Sequence, residues 1–321
     1  MATPVNPQFI PSTIDTFVLN TTLADFSKTL TDNAYNQNVL LKILNQKTKE
    51  TVNGGGSLVE NLIEAEQDEG GFYLGADVLN NTQNNTLTMV EYKWQNLYEP
   101  IMITRDEERS NAGMEHKILD LLGTKTLLSE KAIAKRLEQA ISTPVGAANN
   151  LLDLNTIVGT GTLGSINGAT DTFWQSTVTA SGSFAVQGLT DMDTAYYAVS
   201  SSATDDNPNL VVTTKATFQR YEQTRLPLER ISNGDLTFNV GARNLTFKGV
   251  PIIYGNFVGS GLMYLLNLNY LKLKVDSMTD MITTQFITPS NQTVRVAYIL
   301  WRGNLITNNR RRLAKLTGIT A

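Results

Sequence analysis

The sequence lacks the residues on which most catalytic and metal sites depend. Its 321 residues include no cysteine and a single histidine, His116. Without cysteine the chain has no disulfide, no thiolate nucleophile and no thiolate metal site. One histidine cannot build a multi-histidine zinc site, and acid-base catalysis of the serine-histidine type would depend on that one side chain. We therefore expect no enzyme, no metal and no cofactor, and we predict that His116 is a solvated helix residue.

The chain also has little excess charge and no long hydrophobic run. A composition of 41% hydrophobic and 17% charged residues is typical of a globular protein. The net charge of −4 disfavours a protein whose whole surface holds nucleic acid, so any contact with a polyanion should be local. No apolar run approaches the ~18 residues of a membrane span, and the first residues lack the pattern of a secretory signal. We expect no membrane partner.

One stretch, VGTGTLGSIN at residues 158–167, has the glycine spacing of a dinucleotide-binding loop. Gly159, Gly161 and Gly164 follow the pattern G-x-G-x-x-G, which binds phosphates only where a helix leaves the loop. The residues that follow are turn formers without a helical period. We predict a turn-rich loop here, and a nucleotide-binding enzyme that uses residues 159–164 remains an alternative.

The first hundred residues predict an extended arm followed by a region of strands. Pro4, Pro7 and Pro11 predict an extended arm that spans residues 1–46. Residues 47–103 contain strand-like runs at 58–63, 72–74 and 87–94, and the last run alternates apolar and polar side chains. A lone two-stranded excursion is marginal in water. Its apolar face therefore needs a partner surface, which another copy of the chain would supply.

A long helix is predicted next. Thr104 and Glu107 have the spacing of a capping box. Apolar residues then recur at helical spacing, with an interruption at Gly113, until Pro144 ends the pattern. The stripe comprises Leu119, Leu122, Ile133, Leu137, Ala140 and Ile141. A helix of about 28 residues spans roughly 40 Å.

The remaining residues predict a mixed α/β region followed by long strands. A second capping box at Thr190 and Asp193 predicts a helix start, and 209–213 is a candidate buried strand. Further strands are predicted at 245–253, 261–267, 270–275, 281–287 and 294–301, with a turn at 289–292.

This order of elements resembles the major capsid proteins of tailed bacteriophages, whose Hong Kong 97-type fold is also used by encapsulins. The motifs that carry the resemblance are Phe247-Lys-Gly-Val-Pro-Ile-Ile-Tyr254 and GLMYLLNLNYL at residues 261–271. The run Asn209-Leu-Val-Val-Thr-Thr214, the helix with Tyr221 and the position of Trp174 also match the layout of that family.

The resemblance implies an α+β fold with six segments. These are an N-terminal arm at 1–46, an extended loop hairpin (E-loop) at 47–103, the spine helix of a peripheral domain at 104–150, a mixed α/β axial domain at 151–268, the peripheral return strands with a loop called the P-loop at 269–305, and a C-terminal segment at 306–321 that returns to the axial domain. The glycine stretch would then be a loop of the axial domain.

The resemblance also implies a function. The chain would self-assemble through hexamers and pentamers into an icosahedral shell around the double-stranded DNA of a tailed phage. Portal, scaffolding and decoration proteins would be further partners, and the virion, assembled in the host bacterial cytoplasm, would be its location. An encapsulin-like protein compartment is the alternative.

Charged clusters are the candidate contacts between copies. On the E-loop they are Glu60, Glu64, Glu66, Asp68 and Glu69, with Tyr92 and Trp94 as apolar anchors, and on the spine helix they are Lys117, Lys125, Lys131, Lys135 and Arg136. The alternative for each run is a solvated face. Exposed pairs contribute only about 0–1 kcal/mol each, so they would set register and salt sensitivity.

Two further groups concern the P-loop and DNA. The P-loop holds Pro289 and Asn291, and some family members join a loop lysine to an asparagine, for which Lys93 and Asn291 are the candidates here. We do not expect that cross-link, because Lys93 lies within a strand pattern. Arg310, Arg311 and Arg312 are candidate DNA phosphate contacts. The favoured alternative is that this cluster forms salt bridges within a strand.

Overall fold

The computed structural model describes residues 38–64, 71–79, 86–111, 121–143, 150–201, 206–225 and 245–320. The described residues divide into two compact units, the first within the ranges 98–133 and 281–300, and the second within the ranges 38–97, 134–280 and 301–320. Several predictions lie outside the described residues, namely those for residues 1–37, Glu66, Asp68, Glu69, Gly113, His116, Lys117 and Leu119.

The first unit contains strands and helices from two separate parts of the chain. Its elements are most of β4 (Gln95–Thr104), α2 (Arg105–Asn111), the first half of α3 (Leu121–Ser142), β13 (Ile282–Thr283) and the first half of β14 (Val294–Thr307). Both β4 and β13 pair with β14. The predicted capping box is confirmed, because the Thr104 N–H donates to Glu107 Oε2 at 2.9 Å and the Glu107 N–H donates to Thr104 Oγ1 at 3.3 Å.

The second unit is built on a six-stranded mixed sheet in the order β7-β15-β11-β8-β10-β9. The strands are β7 (Thr177–Ala180), β8 (Leu210–Thr213), β9 (Thr246–Phe247), β10 (Val250–Tyr254), β11 (Met263–Leu266) and β15 (Ala314–Thr317). Every residue of β8 and β11 is buried, as expected for central strands covered on both faces. Lys248 and Gly249 have φ of 51° and 82°, which suits the two-residue turn of the β9–β10 hairpin.

Two helices contribute to the core of this sheet. They are α5 (Phe184–Val199) and α6 (Lys215–Arg225), and the core includes Phe184, Met192 and Tyr221. The capping box predicted at Thr190 was wrong, because α5 already begins after the N-cap residue Ser183. The buried stripe extends back to Phe184 through Gly188, where an added Cβ would lie 2.4 Å from the Phe184 ring.

The rest of the second unit holds an extended hairpin above a second sheet. β1 (Lys49–Val52) runs parallel to β12 (Leu271–Asp276), which pairs with the second half of β14. The hairpin consists of β2 (Leu58–Ile63) and β3 (Leu87–Tyr92), paired from Leu58 with Tyr92 to Ile63 with Leu87. The strand predicted at 72–74 was wrong: residues 71–79 form no strand, and Phe72 and Leu74 are fully or largely exposed.

Short elements complete the second unit. They are α1 (Val39–Lys47), α4 (Leu154–Ile157), β5 (Thr162–Leu163), β6 (Ile166–Asn167) and the 3₁₀ helices Thr172–Trp174 and Arg310–Arg312. None of the helices in the described ranges is long and apolar enough to cross a membrane.

Candidate assembly surface

The hairpin β2–β3 has two chemically different faces. Side chains alternate across a strand, so each strand contributes every second residue to one face. The inner face is buried and consists of Leu58, Leu62, Val90 and Tyr92 together with Glu60. The outer face carries Val59, Ile63, Leu87 and Met89, which are between 46% and 76% exposed. The hairpin therefore presents four apolar side chains on its outer face, beside the exposed polar residues Asn61 and Glu91, and the described residues leave this face largely exposed.

The segment that follows β2 adds to the exposed apolar surface. Within residues 71–79, five large apolar side chains are at least 63% exposed, namely Phe72, Tyr73, Leu74, Val78 and Leu79. Large contiguous apolar patches are rare on monomeric proteins and typically mark interaction sites. We refer to the outer face and these five side chains together as the hairpin surface.

The inner face is fixed to the same chain. The Tyr92 hydroxyl donates to the Thr307 carbonyl at 2.7 Å, and burial raises the pKa of this hydroxyl. Glu60 forms ion pairs with Lys274 and, at 3.3 Å, with Lys272. Burial opposes ionisation of Glu60, but the two lysines outweigh it and hold the pKa of Glu60 below its usual value. Glu60 and Tyr92 therefore make contacts within their own chain, and their predicted contacts with a neighbouring copy stay predictions.

A second anchor lies at the base of the hairpin. The Arg302 guanidinium lies 4.9 Å from the centroid of the Trp94 ring, and it also donates to Asp276 Oδ2 and the Gly55 carbonyl, each at 3.3 Å. Gly54 and Gly55 have φ of 56° and 123°, a conformation that disfavours other residues. Trp94 is half-buried and Glu64 is exposed. Their predicted contacts with a neighbouring copy stay predictions.

The basic residues of α3 are not equivalent. Lys125 donates to the Met102 carbonyl at 2.8 Å and to Glu107 Oε2 at 2.7 Å, both within the first unit, and its predicted intersubunit role stays a prediction. Lys135 and Arg136 are exposed and Lys131 is half-buried, and for these three the prediction stays open.

Three leucines of α3 were misjudged or missed by the sequence pattern. Leu122 was placed in the buried stripe but is 45% exposed, and Leu127 and Leu128, absent from the prediction, are each 46% exposed. By contrast, Ile133, Leu137 and Ile141 are buried as predicted. Leu127 and Leu128 are visible in the sequence as apolar residues outside the predicted stripe.

A buried carboxylate on α3 was also missed. Glu138 has no exposed surface, and its Oε2 atom accepts the Leu41 N–H at 2.6 Å in the first turn of α1. The N-cap residue of α1, Asn38, makes no capping bond with its side chain, so Glu138 acts as the cap from another helix. Burial raises the pKa of Glu138 to about 7.

Arg310 holds the glycine-rich loop and its flanking residues through hydrogen bonds to their backbone. Its guanidinium donates to four backbone carbonyls, those of Thr156, Ile157, Gly161 and Trp174, at 2.7 to 3.1 Å. Only 1% of this residue is exposed, and burial lowers its pKa to about 10, so it remains charged at neutral pH. Arg310 is thus a buried structural cation, and the prediction that it contacts DNA is corrected.

The same geometry argues against nucleotide binding at this loop. A dinucleotide loop directs N–H groups at an anion, whereas this loop directs carbonyl oxygens at a cation. Gly164 has φ of 64°, and a Cβ there would lie 2.5 Å from Val90 Cγ2 and 2.7 Å from the Glu91 carbonyl oxygen. That glycine allows the loop to approach the hairpin closely.

The two arginines beside Arg310 are more accessible. Arg312 is half-buried and donates to the Val199 carbonyl at 3.2 Å, with Asp206 Oδ2 at 3.5 Å. Arg311 is exposed. On the P-loop the predicted turn at 289–292 is confirmed, because the Gln292 N–H donates to the Pro289 carbonyl at 3.3 Å. Asn291 and Lys93 are both exposed, and the roles proposed for Pro289, Asn291 and Lys93 stay predictions.

Solved structures share this architecture over almost its whole length. The capsid asymmetric unit of cyanophage A-1(L) is similar with a TM-score of 0.69 and 14% identity, covering 93% of this chain and 97% of that chain. The holo-SrpI encapsulin complex from Synechococcus elongatus PCC 7942 gives a TM-score of 0.62 and 11% identity, covering 95% of each chain. A structure of Mycobacterium phage Bobi gives 0.59 and 13% identity, covering 97% and 99%.

These likenesses establish the fold alone, because identity is low. No protein-family model and no curated protein sequence matches the chain. The predicted fold class, an α+β fold of the Hong Kong 97 type, is confirmed.

Proposed function

The chain has the Hong Kong 97-type capsid fold, and we propose that it is the major capsid protein of a tailed bacteriophage. Many copies would assemble through hexamers and pentamers into an icosahedral shell that encloses double-stranded DNA. The observation that carries this proposal is the likeness to the cyanophage A-1(L) capsid over 93% of this chain and 97% of that chain.

The exposed apolar surface supports a role in self-assembly. The apolar side chains of the hairpin surface are exposed, and a second set of exposed leucines lies on α3. Shells form through extensive interfaces between identical subunits, and apolar anchors supply most of the energy of such interfaces. The hairpin surface would therefore lie across a neighbouring copy, as expected of the E-loop at residues 47–103.

The charged residues would tune this contact. Glu64 on the hairpin and Lys135 and Arg136 on α3 are exposed and of opposite sign. Exposed ion pairs contribute about 0–1 kcal/mol each, so they would orient neighbouring copies and make assembly sensitive to salt. The domain boundaries given above, with residues 104–150 and 269–305 as the peripheral domain and 151–268 as the axial domain, belong to the same proposal.

Partners other than further copies would follow from a phage shell. Portal and scaffolding proteins would act during assembly in the host cytoplasm, and a decoration protein would bind the finished virion. DNA would be held by non-specific phosphate contacts, for which Arg311 is the most exposed of the three arginines.

An encapsulin-like compartment is the second candidate. It is favoured by the likeness to the Synechococcus elongatus encapsulin complex, which covers 95% of each chain. Both candidates predict a closed shell, and they differ in what the shell contains.

Electron microscopy of the purified chain tests the shared prediction. The chain is expressed alone and with scaffold-like neighbouring genes, and closed shells or regular capsomers are expected. Nuclease-protected DNA in those shells would favour the phage capsid, and a co-purifying cargo protein would favour the compartment. A chain that stays monomeric under all of these conditions would contradict both candidates.

A further inference from the structure

A cavity of about 600 Å³ lies in the second unit, close to the second 3₁₀ helix. Its wall is made by the hairpin strand β2, both 3₁₀ helices and the C-terminal end of α5. The residues that define its chemistry are Asn61, Phe173, Tyr270, Asn308, Arg311 and Arg312. Its volume is in the range of small-molecule sites, and polar groups predominate in its wall.

Two arginines of the second 3₁₀ helix, Arg311 and Arg312, line this cavity. A 3₁₀ helix has three residues per turn, so consecutive side chains point in three different directions. Arg310 points into the protein and holds the glycine-rich loop, whereas Arg311 and Arg312 line the cavity. Asn309 Oδ1 accepts the Arg311 N–H at 3.2 Å and thereby fixes the backbone of this turn.

The donors of these arginines are largely unused. Arg312 directs one nitrogen at the Val199 carbonyl and another at Asp206 Oδ2, and its guanidinium carries five N–H groups. The Arg311 side chain makes no hydrogen bond or ion pair with any residue that the structure describes. Two adjacent guanidinium groups with free donors match the oxygens of a phosphate, which guanidinium groups bind in bidentate fashion.

Neighbouring groups complete the site. The Oδ1 atom of Asn308 is buried and has no hydrogen-bond partner among the described residues, so it can accept a hydrogen bond from a hydroxyl group of a ligand. The Tyr270 hydroxyl is fixed by Asp206 Oδ1 at 2.5 Å, and the half-buried Phe173 ring forms an apolar part of the wall. Glu64, the acidic residue of the wall, is exposed, so solvent screens its repulsion of an anion.

We propose that this cavity is a binding site for a phosphate group, held by the donors of Arg311 and Arg312. The phosphate can belong to a free small molecule, such as a nucleotide, or to the backbone of a nucleic acid. Shell formation is not required for this site. A chain that assembles without binding phosphate loses this inference and the proposed DNA contact of Arg311 but keeps the proposed shell, whereas a chain that binds phosphate without assembling loses only the proposed shell.

Isothermal titration calorimetry on the full chain tests the site with three probes: inorganic phosphate, dAMP and a short single-stranded oligothymidylate. We expect binding of one phosphate group per chain, weakened at least about tenfold in Arg311→Gln, since charge-assisted hydrogen bonds are lost. Arg220→Gln is the matched control, because it removes the same charge from a residue outside the cavity wall, whose guanidinium donates to Gln223 Oε1 at 3.2 Å on α6.

The outcomes separate the two sources of phosphate. Oligothymidylate that binds much more tightly than dAMP, through Arg311, would identify a nucleic acid as the ligand. Equal affinities would identify a small phosphorylated molecule. Absence of binding by all three probes, or equal weakening by Arg311→Gln and Arg220→Gln, would overturn the proposal, provided that circular dichroism shows both variants folded.

Discussion

Arg310 is a buried cation whose partners are backbone carbonyls. In Arg310→Met, the carbonyls of Thr156, Ile157, Gly161 and Trp174 lose their donor while they remain enclosed. A buried acceptor left unpaired costs about 1–3 kcal/mol, so we expect a loss of at least about 3 kcal/mol in the free energy of unfolding. Urea unfolding monitored by tryptophan fluorescence measures this loss.

The neighbouring arginine provides the control for that experiment. Arg311→Met removes the same group from an exposed position in the same turn, and surface changes typically alter stability by less than about 0.5 kcal/mol. An equal loss of unfolding free energy in both variants would mean that the hydrogen bonds from Arg310 to the four carbonyls do not stabilise the fold.

Glu138 should make stability depend on pH. Burial raises its pKa from 4.5 to about 7, so between these values the folded chain holds more protons than the unfolded chain. The free energy of unfolding should therefore fall as pH rises from about 4.5 through 7, by about 3 kcal/mol in total, and then level off. Glu138→Gln keeps an acceptor for the Leu41 N–H and should remove this fall.

Urea unfolding at pH 5 and pH 8 checks the prediction. The difference between wild type and Glu138→Gln isolates this carboxyl from other titrating groups. Glu130→Gln, at an exposed position of the same helix, should retain the wild-type pH dependence. An unchanged dependence in Glu138→Gln would show that the carboxyl does not titrate in this range.

At the scale of elements, the outer face of the hairpin should control assembly without controlling folding. Met89 is 63% exposed on β3, so Met89→Glu adds a charge to the apolar face and leaves the buried residues unchanged. We expect at least a tenfold loss of shell yield by sedimentation velocity, with an unchanged Tm, since a charge in an apolar contact is costly. Met278→Glu, 81% exposed on the turn after β12, is matched in residue type and charge. Wild-type yield in Met89→Glu would exclude the outer face from the interface.

Elements with a strong local pattern could be predicted from the sequence. The run at 58–63 correctly predicted β2, and the alternation at 87–94 correctly predicted β3. The spacing of Thr104 and Glu107 correctly predicted the start of α2. The start of α5 was missed because the capping-box spacing at Thr190 and Asp193 predicts a helix start at that point. The buried stripe of the helix in fact begins earlier, at Phe184 and Gly188.

The contacts that decide the candidate site could not be predicted in the same way. Glu138 caps a helix 97 residues away, and Arg310 reaches carbonyls 136 to 154 residues away. Such pairs leave no local period in the sequence. Arg310, Arg311 and Arg312 are identical in the sequence, but the first is buried, the second exposed and the third half-buried. Only the geometry of the 3₁₀ turn determines which of them is buried.

At the scale of the whole molecule, folding and assembly should be separable. The inner face of the hairpin belongs to the core of the chain, whereas the segment 71–79 exposes its apolar side chains. The Glu64 N–H donates to the Thr86 carbonyl at 2.8 Å, so the two strands are still joined at that point. A two-residue Asn-Gly turn can therefore replace residues 65–85 and close the hairpin.

This shortened chain should fold and fail to form shells. It keeps the buried hairpin residues and the ion pairs of Glu60, so its Tm should stay within a few degrees of wild type. It loses Phe72, Tyr73, Leu74, Val78 and Leu79. Because every copy in a closed symmetric shell makes the same contact, the loss of that contact weakens every interface of its kind. Electron microscopy and sedimentation velocity should show monomers or small oligomers. Shells at wild-type yield would mean that segment 71–79 does not bind a neighbour, and would leave the outer face of the hairpin and the α3 leucines as the candidate contacts.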